Sequence, residues 1–105
     1  MSHTFDVNLA KLRRRFCDRA IAQSLDLEEI VSRLQCGAPV PQLRADIRRI
    51  AHSLAGAGGT FGFAELSANA DELDEFARHA PEPLALASAC RVLISKIQQA
   101  ALCWS

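Results

Sequence analysis

The sequence predicts an all-α fold, an antiparallel up-down four-helix bundle, with one segment left as either a short extra helix or the continuation of its neighbour past a kink. Three observations predict it. Apolar residues recur at steps of three and four, the spacing of a helix face. Strand signals are nearly absent: β-branched residues are sparse, tyrosine is missing, and alanine, leucine and arginine dominate. Glycine and proline cluster at a few points and cut the chain into segments of helix length.

The first segment runs from about Asp6 to Ala22, with Phe5, Leu9, Leu12, Phe16 and Ala20 as its apolar stripe. Ser24 or Asp26 then has the chemistry of an N-cap for a second segment reaching Leu34. Glu28 and Glu29 fall in its first turn, where the helix dipole favours acids. Cys36-Gly37-Ala38-Pro39 is a stop signal.

The third segment starts near Pro41, a residue suited to a first turn, and carries Leu43, Ile47, Ile50, Ala51 and Leu54. Gly56, Gly58, Gly59 and Gly62 weaken and end it. The fourth runs from about Phe63 to His79 through Leu66, Ala70, Leu73, Phe76 and Ala77. The last runs from about Pro83 to Leu102 through Leu86, Ala89, Cys90, Leu93, Ile97 and Ala101. Each long segment has one apolar face. Short connections favour antiparallel neighbours, so a bundle is the economical solution.

Length and charge narrow the function. A chain of 105 residues fits one domain, here 1–105. The 12 basic and 12 acidic residues cancel, whereas a general nucleic-acid or anionic-membrane binder carries a basic excess. The apolar runs are too short to span a bilayer, and the polar start, Met1 to Asp6, is unlike a signal peptide. The expectation is a cytoplasmic monomer. Cys17, Cys36, Cys90 and Cys103 show no metal-knuckle spacing and read as reduced, mostly buried thiols.

The informative stretch is Ile50 to Phe63. On a helical wheel the apolar residues of the third segment fill an arc of about 100°, and His52 lies about 155° from its middle. The imidazole therefore faces solvent. Its neighbours on the wheel are Ala45, Arg48, Ala55, Gly56 and Gly59, all small except Arg48. A metal site needs several convergent ligands, and His3 and His79 lie elsewhere on the chain. Ser53 points about 100° away from His52, which disfavours a serine–histidine nucleophile pair. An exposed imidazole remains a good nucleophile near neutral pH, with an ordinary pKa of about 6.5. It suits a carrier whose partner supplies the electrophile.

The run Ala51-His52-Ser53-Leu54-Ala55-Gly56, with Gly62 and Leu66 after it, resembles the signature of histidine-containing phosphotransfer (HPt) domains. That pattern is a phospho-accepting histidine, a leucine two later, a lysine three later, a glycine four later and another glycine ten later. Thr60-Phe61-Gly62-Phe63 and Leu73-Asp74 continue the likeness. The resemblance implies a helical bundle with no cofactor of its own. It implies that His52 takes a phosphoryl group through Nε2 from one receiver aspartate and gives it to another, the receiver bringing an acidic pocket and Mg²⁺. Such a protein is a carrier and not an enzyme. The implied partners are response-regulator receiver domains, with a hybrid histidine kinase as a further one.

Under that resemblance the docking face is Ala45, Arg48, Arg49, Ser53, Ala55, Gly56 and Gly59, and Gly62 is the turn into the next helix. The family's lysine is Ala55 here. Arg48, one turn before His52, is the candidate cation for the phosphate in its place. Lys11, Arg13, Arg14 and Arg15 read as a solvated face that could also border a partner, and Phe61 and Phe63 as core residues. Two alternatives stay open. One is an adaptor of the same fold that binds a receiver or kinase without transfer. The other is a self-associating bundle in which His52 is incidental.

Overall fold

The computed structural model describes the backbone of residues 2–79 and 81–104 and the side chains of residues 6–79 and 81–102. The side chains of His3, Phe5, Cys103 and Trp104 lie outside the described residues. Four helices account for nearly all the described chain, and no strand occurs among the described residues: α1 (Ser2–Gln35), α2 (Val40–Thr60), α3 (Ala64–Arg78) and α4 (Pro83–Trp104). α2 packs chiefly on α3 and α1 on α4, with lesser seams between α3 and α4 and between α1 and α2. None of the described helices is long and apolar enough to cross a membrane.

Of the two forms expected for the second segment, the continuation of the first is the one adopted. α1 is continuous, so the short extra helix is not formed. Ser24 explains the difference. It is 4% exposed, and its hydroxyl donates to the Ile21 carbonyl at 2.6 Å. It therefore satisfies itself within the helix instead of capping a new one. The buried positions Phe16, Cys17, Ala20, Leu27, Ile30, Val31 and Leu34 keep helical spacing through this point, so one stripe serves the whole element.

α1 is about 51 Å long at 1.5 Å per residue, matching the 53 Å longest dimension of the molecule. α2 is shorter, and the turn that ends it meets α1 at Arg13 and Phe16. The first turns of α1 thus run past the core, which leaves Leu12 41% exposed although the sequence places it on the apolar stripe.

The helix ends follow local chemistry. Gly37 takes a φ of +80°, and the Ala38 amide donates back to the Arg33 carbonyl at 3.0 Å, closing α1 with a left-handed cap. Pro41 lies in the first turn of α2. α2 runs on through Gly56, Gly58 and Gly59 and stops only before Gly62, whose φ is +87°. Phe16 packs against Phe61 and Phe63 with ring centroids 6.1 and 5.0 Å away, as expected of core aromatics.

One core joins all four helices, and Leu27, Ile47, Leu54, Leu86, Leu93 and Ile97 are its largest fully buried side chains. Of the described thiols, Cys17 and Cys90 are buried, Cys36 is exposed, and all three are free. Burial pushes the Cys90 thiol up to about 12. Burial also raises Cys17, aided by the nearby Asp18 carboxylate and opposed by Arg14.

Candidate functional site

The rotation of α2 is set by what it buries. Leu43, Ile47, Ile50, Ala51 and Leu54 all enter the core, the five residues of the apolar arc. His52 is thereby turned outward and exposed. It has no hydrogen bond or ion pair with any other described residue, so both ring nitrogens are available.

The surroundings are low. Ala45, Gly56 and Gly59 are exposed, and a methyl group placed on Gly56 would meet nothing within 4 Å. Gly56 thus serves the surface and not the backbone: any side chain there would project beside the imidazole. Arg49 is exposed and lies 3.7 Å from Asp46 on its own helix.

Ala55 departs from the expected face. It is 8% exposed and belongs to the core. α3 covers this flank because Ala55 and Gly58 are small enough to let it approach. The Ser67 hydroxyl donates to the Ala55 carbonyl at 2.6 Å. A methyl group on Gly58 would sit 3.4–3.5 Å from the Phe63 carbonyl, the Phe16 ring and Ser67. Ala55 therefore adds almost no side-chain surface beside His52, and the site lacks the lysine of the resembled pattern.

Arg48 is drawn across to α3. Its Nε donates to Asp74 Oδ1 at 2.9 Å, with the two side chains 41% and 21% exposed. Leu73 is buried and Asp74 lies at the surface, so the Leu73-Asp74 pair puts one residue in the core and one on Arg48. The cation expected to serve a phosphate is already paired with a carboxylate.

Two arginines of α1 make contacts with α2 and its closing turn that the sequence does not predict. The Arg19 guanidinium donates to the Ser53 hydroxyl, next to His52 in the chain. Arg13, read from sequence as solvated, donates from Nε to the Phe61 carbonyl at 2.9 Å and ties α1 to the α2–α3 turn. Only the register of α1 against α2 reveals either contact, and no sequence motif encodes it.

Among the described residues no three His, Cys, Asp or Glu side chains converge as a metal would require. His79 pairs with Glu75 on α3 at 3.0 Å. The arrangement is an unencumbered imidazole on a flat, small-residue surface, with cationic groups to either side. It offers a nucleophile, and no general acid or base stands beside the ring among the described residues.

A family model described as the Hpt domain matches residues 11–101. The chain belongs to the Hpt domain family. No curated protein and no solved structure gives a significant match. Hpt domains are phosphocarriers of two-component signalling, and they interact with receiver domains and histidine kinases. In this Hpt domain the match spans α2 and α3 whole, and with them His52 and every residue placed around it.

Proposed function

We propose that this Hpt domain relays a phosphoryl group between receiver-domain aspartates, with His52 as the acceptor and donor. The observation that carries the reading is the exposed imidazole, without a partner among the described residues, on a surface kept low by Ala45, Gly56 and Gly59. In the forward step the Nε2 lone pair forms the N–P bond while the P–O bond to the receiver aspartate breaks. The aspartate leaves as a carboxylate with the bonding electrons, and Nδ1 keeps its proton. The receiver supplies the Mg²⁺ and the acidic pocket. The domain, 1–105, acts as a cytoplasmic monomer.

Ala45, Arg49, Ser53, Gly56 and Gly59 form the docking face, bordered by Arg48; Ala55 leaves it. An antiparallel up-down bundle is the arrangement adopted. Arg13 meets Phe61, Arg19 meets Ser53, and the Asp26–Arg33 stretch shares a groove with Leu43–Ile50. A rising position on α1 is thus matched by a falling one on α2, which supports that sense.

Ala55 favours one second reading, an adaptor that binds a receiver or kinase without transfer. Radiolabelled phospho-receivers mixed in Mg²⁺ with wild type and His52→Gln separate the two. Label entering wild type alone supports the relay. No label from any receiver, with binding retained by both proteins in a pull-down, supports the adaptor.

A further inference from the structure

The absent lysine leaves a phosphoryl group on His52 without the cation that the family's pattern supplies. Three arginines border the site, and their existing partners distinguish them. Arg48 is held by Asp74 on α3, and Arg49 lies near Asp46 on α2. Arg19 reaches over from α1 and rests on a neutral hydroxyl, that of Ser53. It forms no ion pair with the described residues.

We infer that Arg19, positioned by Ser53, is the cation that contacts the phosphoryl group on His52. The inference rests on the phosphotransfer reading above and deepens it. Ser53 follows His52 directly, so their Cα atoms are about 3.8 Å apart. Ser53 points about 100° round α2 from His52, so the guanidinium resting on it swings back across that arc, within reach of its long flexible stem, to meet a group attached to the imidazole. It carries five donors, so it can hold Ser53 with one nitrogen and meet a phosphoryl oxygen with another.

Charge selects Arg19 over Arg48. A phosphoryl group brings a charge of about −1.5 to −2 and strong acceptor oxygens. Arg19 can turn to it by weakening a bond to a neutral partner. Arg48 can do so only by weakening a bond to a carboxylate, leaving a mostly shielded Asp74 short of its cation. The charged groups around this part of α2 are Arg19 on Ser53 from α1, Arg48 with its partner Asp74 from α3, and Arg49 with its partner Asp46. Of these three arginines, Arg19 is the one without a carboxylate partner among the described residues.

The device differs in kind from a lysine on α2. A cation on the same helix as the histidine moves with it. A cation on α1 depends on the α1–α2 seam, so this site is completed by two helices.

The test loads His52 from phosphoramidate, a small phosphoryl donor, so that no partner is needed. It follows the phosphohistidine by ³¹P NMR as pH is varied. Wild type is compared with Arg19→Ala, Arg19→Lys, Ser53→Ala and Arg48→Ala, each checked for helicity by circular dichroism. Arg19 is exposed, so its loss leaves the core intact. At a contact separation of about 4 Å and the dielectric of water, one positive charge changes the phosphoryl group's proton affinity about sixfold.

The expected result is a rise of that size in the phosphoryl pKa for Arg19→Ala, most of it reversed in Arg19→Lys. Ser53→Ala gives a smaller rise, and Arg48→Ala less than Arg19→Ala. A phosphohistidine at His52 whose titration ignores Arg19, or responds more to Arg48, overturns this inference and leaves the phosphotransfer reading standing. A folded wild type that forms no phosphohistidine overturns both.

Discussion

Gly62→Ala is the sharpest test of how the site's helix is ended. Gly62 sits at φ +87°, and an added Cβ would lie 2.9 Å from Arg13 Nη2. An L-residue held in the left-handed region costs about 1–2 kcal/mol. The close contact also pushes Arg13 from the Phe61 carbonyl, losing a hydrogen bond worth about 0.5–1.5 kcal/mol. Alanine restricts the unfolded chain more than glycine does, which returns about 0.4–1 kcal/mol. The net destabilisation is about 0.5–3 kcal/mol, or a fall in Tm of roughly 2–14 °C for a domain of this size. Urea denaturation of wild type, Gly62→Ala, Arg13→Ala and the double variant measures both parts. The Arg13→Ala background should spare the variant the contact term and retain the backbone term. Gly62→Asn should cost less than Gly62→Ala, because asparagine tolerates the left-handed region better. A Gly62→Ala protein as stable as wild type would refute the argument. An equal cost in both backgrounds would refute the part assigned to Arg13.

Three further outcomes follow from the packing. Phe16 is 3% exposed and bridges α1 to Phe61 and Phe63; Phe16→Ala should destabilise by about 3–5 kcal/mol in urea. Cys90 is raised from 9.0 to about 12, so above pH 9 the unfolded state releases a proton that the folded state keeps. Stability is therefore full below pH 9 and falls as pH rises from 9 to 12, by up to about 4 kcal/mol for this thiol. The decline should be shallower in Cys90→Ala, whose other groups titrate alike. Alkylation of the native protein followed by peptide mapping should label exposed Cys36 well before buried Cys17 and Cys90; equal rates would contradict the described core.

Much of this is legible in the sequence. Leu43, Ile47, Ile50, Ala51 and Leu54 are large or core-seeking residues at helical spacing, so they fix the rotation of α2 and turn His52 outward. Gly37, Pro41 and Pro83 act through local backbone preferences and mark boundaries close to the observed ones. Ser24 misleads because the same hydroxyl chemistry serves a cap or a buried bond to the preceding turn. Burial decides which of the two occurs, and burial belongs to the tertiary structure. Ala55 is ambiguous for a related reason. Alanine carries little hydropathy signal, and α3 covers it only because Gly58 beside it is small. The contacts of Arg13 with Phe61, Arg19 with Ser53 and Arg48 with Asp74 each join two helices. They depend on register along the seams, which periodicity within one helix does not encode.

The central claim is that His52 carries phosphate. The most direct measurement incubates the protein with phospho-receivers in Mg²⁺ and locates the transferred group by mass spectrometry under alkaline conditions, where phosphohistidine survives. The expected product carries one phosphoryl group on the peptide bearing His52, acid-labile and absent from His52→Gln. A phosphoryl group on another residue, or one that forms equally in His52→Gln, would contradict it.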